Sequence, residues 1–242
     1  MPERRLVLGN ARSAWISNLP PFSNADNIQG GGSTFGVITS VTLQTHPSPK
    51  ILNLGVGIIG SAQDPKLADW IAHFFSKFPY LESKGISGYM LTGRDIENIV
   101  QPGADPLSGV LASLVLQDTE DEKDIVDLIG SVVEELQARF PDSGIATFQQ
   151  VFKYPSFLDW FKVNKDSGEA GTDICGGGRL LSEKHLTADV DALVEMIGTN
   201  MDAVGRFSAF IVSGKGVHEA QPRGGGNAVV PAWRKAIVHC GK

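Results

Sequence analysis

The sequence predicts an α+β fold, an antiparallel sheet carrying its helices on one face, and three observations predict it. Apolar, β-type runs recur at residues 51–59, 86–92, 107–117, 145–152 and 206–213. Segments near 65–78, 120–139 and 186–201 instead repeat their apolar residues at helical spacing. The order from 51 to 152 is β-α-β-β-α-β, the split βαβ arrangement in which an antiparallel sheet bears helices on one side.

Residues 1–29 are hard to read as a folded unit. Leu6, Val7 and Leu8 suit a short strand, and Pro20, Pro21, Ser23, Asn24, Asp26 and Asn27 have loop composition. Gly30, Gly31 and Gly32 follow, where a backbone without Cβ atoms passes close to other groups. A strand comes next. Phe35, Val37, Thr39, Val41 and Leu43 fall on one face and Ile38, Ser40, Thr42 and Gln44 on the other, until Pro47 and Pro49 stop it. Glycines that feed a strand reverse the dinucleotide-binding layout, and no Gly-Lys-Ser/Thr follows them, so neither a Rossmann fingerprint nor a P-loop is present.

From residue 51 the pattern is regular. Asp64 and Pro65 are expected as N-cap and first helical residue. The stripe Leu67, Trp70, Ile71, Phe74, Phe75 and Phe78 is read as core, and Pro79 as its stop. Residues 93–106 read as a loop rich in Gly, Pro and Asp. The acids at 118–122 load the positive end of the next helix, whose buried face is Ile125, Leu128, Ile129, Val132, Val133 and Leu136. Tyr154-Pro155-Ser156 starts a short helix through Trp160 and Phe161. The glycines at 176–178 make a tight loop before a short apolar strand. Leu186, Val190, Leu193, Val194 and Ile197 face inward from a helix that begins at Lys184 or Thr187. A glycine-rich loop spans 214–227, and Ala236 to Cys240 form one more strand.

Composition limits the function classes. With 242 residues and 42% hydrophobic side chains, the chain can bury a sizeable core in one or two domains. A net charge of −6 without a basic run argues against a nucleic-acid surface. Cys175 and Cys240 are its two cysteines, too few for a disulfide framework or a zinc pattern, and the five histidines lack metal-ligand spacing. No apolar run reaches the ~18 residues of a membrane span, and the first residues lack the apolar stretch of a signal peptide.

The string Gly30-Gly31-Gly32-Ser33-Thr34-Phe35-Gly36-Val37-Ile38-Thr39, leading to His46-Pro47, resembles the end of the FAD-binding domain in FAD-linked oxidases of the vanillyl-alcohol-oxidase type. The berberine-bridge-like branch is the nearest match. A second string, Gly226-Asn227-Ala228-Val229-Val230-Pro231-Ala232-Trp233-Arg234, is similar to fungal members, and the two bracket nearly all of 24–240. The resemblance implies FAD as cofactor, held along Gly30, Gly31, Gly32, Phe35, Gly36 and Val37, with main-chain atoms of Gly36 and Val37 brought to it. It also implies two parts, a remnant of the PCMH-type FAD-binding domain at 1–49 and a substrate-binding α+β domain at 50–242. Arg179 becomes a wall of the substrate cleft, with Tyr89 another lining residue. Asn24-Ala25-Asp26 matches the family, but the aromatic helix turn expected before the glycines is missing. The expectation is therefore a truncated chain that binds FAD weakly or not at all and is inactive alone. Relatives are often secreted.

No nucleophile elbow marks a Ser/His/Asp arrangement. Tyr89, Tyr154, Glu219 and His239 are the available acid/base groups. His239 follows the Pro-Ala-Trp-Arg run, where the resemblance places residues facing the flavin ring, and a buried or edge histidine is the competing reading. The implied chemistry is oxidation of an alcohol, sugar or secondary metabolite, a small-molecule substrate, with hydride passing to the flavin while a base takes a proton. Two other readings stay open: a non-catalytic α+β remnant, and a ferredoxin-like binding module that holds no flavin.

Overall fold

The computed structural model describes residues 4–7, 13–15, 37–41, 46–98, 103–165, 176–221 and 228–241. The chain divides into two compact units, one of residues 1–47 with 216–234 and one of residues 48–215 with 235–242.

In the first unit, β1 (Arg4–Val7), β2 (Ser13–Trp15) and β3 (Val37–Val41) form an antiparallel sheet in the order β2-β1-β3. β3 is the strand expected after the glycine run, and it lies in a different sheet from the strands of the second unit, as its reading as a separate element requires.

The second unit contains β4 (Ile51–Gly60), α1 (Leu67–Phe75), α2 (Phe78–Ser83), β5 (Ser87–Ile96), β6 (Leu107–Gln117), α3 (Lys123–Arg139), β7 (Ala146–Tyr154), α4 (Phe157–Asn164), β8 (Gly178–Ser182), α5 (Glu183–Thr187), α6 (Val190–Val204), β9 (Arg206–Ile211) and β10 (Ala236–Gly241). Its described strands make one antiparallel sheet, β7-β4-β6-β5-β9-β10-β8. The first four in that order are the split βαβ expected from residues 51–152, and β9, β10 and β8 extend it past β5.

One face of this sheet is the core. Leu52, Leu54, Val56 and Ile58 of β4, Val110, Ala112 and Leu114 of β6, and Phe207, Ala209 and Ile211 of β9 join a single buried cluster. Trp70, Phe74 and Phe75 of α1, Ile129 and Leu136 of α3, and Leu193 and Ile197 of α6 enter the same cluster, so these three helices share one face. Rings supply much of the packing, with Phe78 edge-on to Phe74 at 5.2 Å.

Three boundaries differ from the expectation. Asp64 does not cap the helix directly. Its carboxylate accepts from the Lys66 amide at 2.9 Å and its carbonyl from the Leu67 amide at 3.1 Å, a turn that delivers the chain to Leu67. Pro79 stops nothing; it occupies the first turn of α2, where its missing N–H is harmless. β5 continues to Ile96 through residues read as loop, because the Arg94 amide still donates to the Gly205 carbonyl at 2.8 Å and Asp95 adopts φ 54°. A fourth difference bears on function. α4 lies on the face opposite α1, α3 and α6, since Trp160 bonds to Asn53, which alternates with the core residues Leu52 and Leu54.

Candidate active site on the open sheet face

The side-chain period of two sends every second residue to the open face. The pairing register then lines up Gln150, Gly55, Ser113, Tyr89, Phe210, His239 and Leu180, one from each strand, in a row across the sheet. Tyr89 is 50% exposed, and its ring meets Phe210 edge-on at 5.6 Å. The Phe210 ring is in turn 5.8 Å from the His239 imidazole. Tyr89 and His239 thus flank one phenylalanine. Being two strands apart, about 10 Å, they do not share a proton.

A parallel row runs Phe148, Gly57, Leu111, Leu91, Ser208 and Gly241 to Gly178. Glycine at 178 leaves room for the imidazole, because a Cβ there would lie 2.6 Å from His239 Nε2.

α4 walls one side. Ser156 caps it, its hydroxyl accepting from the Asp159 amide at 3.1 Å. The same hydroxyl donates to the Asp159 carboxylate, which holds that carboxyl below its ordinary value. The Phe157 amide donates to Ser48 Oγ at 2.8 Å. Trp160 Nε1 donates to Asn53 Oδ1 at 2.7 Å, and Asn53 Nδ2 donates to Ser113 Oγ at 2.9 Å. Between α4 and the sheet lies a groove of about 910 Å³, floored by Tyr89, Ser113 and Phe210. A second groove of about 880 Å³ lies beside it, where Phe148, Phe152, Leu91, Leu111 and Arg206 join the same three floor residues.

The structure therefore brings Tyr89 and His239 onto one face. Arg179 is not with them: it pairs with Cys240, whose side chain is in the core, so Arg179 projects to the helix side of its edge strand. That register departs from the expectation that Arg179 and His239 wall one cleft. Gly30, Gly31, Gly32, Phe35 and Gly36 lie outside the described residues, and of Val37 only the backbone is described, at the start of β3. Phe210 and Asn53 were missed as site residues. Each carried a signal: Arg206, Ser208 and Phe210 alternate with the apolar Phe207, Ala209 and Ile211, and Asn53 is a lone amide in an apolar strand. Among the described residues, no cluster of three or more His, Cys, Asp or Glu side chains could hold a metal, and no helix is long and apolar enough to cross a membrane.

No family model matches the chain. Curated fungal proteins do, two of them over most of its length. FAD-linked oxidoreductase apf9 of Gibberella fujikuroi is 28% identical over 218 residues, covering 86% of this chain and 36% of that protein. An uncharacterized FAD-linked oxidoreductase of Arthroderma benhamiae is 27% identical over 221 residues, covering 87% of this chain and 35% of that one. The chain thus spans about a third of the length of these relatives. Among solved structures, the VAO-type flavoprotein MtVAO713 of Myceliophthora thermophila superposes with a TM-score of 0.78 at 19% identity, over 99% of this chain and 42% of the other. A xylooligosaccharide oxidase from the same fungus, solved with xylobiose, gives 0.60 at 14% identity, over 99% and 49%. The chain has the fold of the VAO-type flavoproteins and sequence relatives among the FAD-linked oxidoreductases.

Proposed function

We propose that this chain supplies the substrate-side sheet of an FAD-dependent oxidoreductase of the berberine-bridge-like, fungal type, and that its open face receives the substrate. The row Ser113, Tyr89, Phe210 and His239 carries this reading. It sets two proton-accepting groups around a flat apolar ring, on the face that α1, α3 and α6 leave uncovered. The relatives' description as FAD-linked oxidoreductases supports the choice of cofactor.

The described residues fit the ring end of such a cofactor and a substrate, since the floor is aromatic and the grooves are of ligand size. They include no cradle of main-chain donors for a pyrophosphate; the glycines assigned to that task are those at 30–36. Bound FAD supplies the hydride acceptor. The chain's own part is to lay the substrate along Phe210 and to take the proton that leaves its hydroxyl. His239 does so through a neutral ring nitrogen; Tyr89, on the other side of Phe210, does so only as a phenolate whose own proton has passed to solvent. The substrate is an alcohol, sugar or secondary metabolite.

A second reading has one observation in its favour. The order β7-β4-β6-β5 is that of a ferredoxin-like module, which needs no flavin. Titrating FAD into the purified chain while following flavin fluorescence separates the two. Saturable quenching with a dissociation constant well above the low micromolar range is expected. Fluorescence unchanged up to millimolar chain would leave the kinship intact, remove the activity from this chain and favour the binding-module reading.

A further inference from the structure

Two of the three aromatic rings of α4, Phe157 and Phe161, are not used to seat the helix. α4 has no buried residue, and Phe157 and Phe161 remain 47% and 45% exposed. What ties α4 down is polar: the bond from the Phe157 amide to Ser48, just ahead of β4, and the bond from Trp160 to Asn53 within it. Asn53 is 3% exposed, and both ends of its amide are used, one toward Ser113 and one toward Trp160. A buried amide in an apolar strand would be costly without these partners. It holds a wall of rings, Phe157, Trp160 and Phe161, over a floor of rings, Tyr89 and Phe210. Rings on two sides of a groove match a planar, π-bearing ligand.

Charge narrows the class. Among the described residues that line this groove, Lys165 is the one charged side chain and none is a carboxylate. The polar groups of the lining, among them Ser87, Gln117 and Asn164, are neutral, and the rings of its wall and floor favour a flat ligand. An anion placed near Lys165 gains a charge-assisted bond.

We propose that the groove between α4 and the sheet binds a planar aromatic carboxylate, its rings between the α4 wall and Tyr89–Phe210 and its carboxylate toward Lys165. This deepens the assignment of the open face as the substrate side, and rests on that assignment for calling the ligand a substrate.

Calorimetric titration of the whole chain with 2-naphthoate, 2-naphthamide and cyclohexanecarboxylate tests it. Naphthoate is expected to bind saturably, roughly 10-fold tighter than the neutral amide. Lys165→Gln should erase that preference. Phe161→Ala should weaken both aromatic ligands. Both substitutions are at exposed positions, so far-UV circular dichroism should be unchanged. Absence of saturable naphthoate binding, equal binding of the cyclohexane acid, or variants that bind like the parent would each overturn the proposal. FAD quenching, read separately, distinguishes the two claims. Naphthoate binding without FAD binding keeps this site and removes the oxidoreductase; FAD binding without naphthoate binding does the reverse.

Discussion

The two faces of the β7-β4-β6-β5-β9-β10-β8 sheet are made by the same strands and differ in everything else. On the helix face, side chains such as Leu54, Leu114 and Ala209 are fully buried under α1, α3 and α6. On the open face, their immediate neighbours are Gly55, Ser113 and Phe210, which leave grooves of ligand size. Alternation along a strand lets one element serve stability and recognition separately. Substitutions on the first face should therefore report on folding, and those on the second on binding.

The largest expected contrast uses one truncation on both faces. Phe74→Ala empties a fully buried site against Phe78 and should cost about 3–5 kcal/mol. Phe152→Ala, on the open face and 43% exposed, should cost less than about 1 kcal/mol. Urea unfolding of both variants measures the difference, and comparable losses would break the two-face account.

Glycines sharpen the same contrast. Gly109 has φ 133°, and a Cβ there would run into the Ile58 carbonyl and the Trp70 ring, so Gly109→Ala should destabilise by about 2–3 kcal/mol. At Gly55 a Cβ would meet only the Gln150 carbonyl at 3.8 Å, and Gly55→Ala should stay within about 0.5 kcal/mol. A large loss at Gly55 would mean that the open face is packed by something the grooves do not reveal.

Much of this fold was legible, and the reason is local. The strands of the split βαβ and the stripes of α1, α3 and α6 each show their period within a dozen residues. What stayed hidden depended on distant pairing or on context. Nothing near Tyr89 says that Phe210 and His239 stand beside it; that follows only from register across β5, β9 and β10. The family resemblance made Arg179 a wall of the cleft, and its pairing with Cys240 places it on the other side of the sheet. Pro79 was ambiguous because proline both ends a helix and suits the first turn of the next. The short helix α4 was visible from Ser156, but its face was not, since that rests on one bond from Trp160 to Asn53.

Acid should act through the helix layer. Burial, and then the Lys77 ammonium, lowers His73 below the ordinary imidazole value, while Glu135 opposes that shift and Arg139 adds to it. The folded state thus keeps His73 neutral where the unfolded chain takes up a proton. Stability should fall as pH drops below about 6.5. Glu135 has the opposite character as an acid. Its hydrogen bond from Lys77 lowers its carboxyl, so its contribution is present above the unfolded value of about 4.3 and fades below it. The urea midpoint should therefore decline between pH 7.5 and 5.5, and His73→Gln should flatten that part of the curve. An unchanged slope in the variant would remove His73 from the account.

The smallest effect is sought in two consecutive residues. β10 puts His239 on the open face beside Phe210 and Cys240 on the helix face, in the core cluster. Burial pushes the Cys240 thiol up to about 12. The thiolate is the reactive form, so at pH 8 almost none is present, and burial also denies reagents access. Iodoacetamide should leave Cys240 unmodified in the folded chain and alkylate it once urea unfolds the sheet. The adjacent His239 is only partly buried and should accept diethylpyrocarbonate while the chain is still folded. Peptide mapping after each treatment reads both residues in one fragment. Alkylation of native Cys240 at a rate near that of the unfolded chain would show that β10 opens readily, and that the division between a packed face and a working face does not extend to this strand.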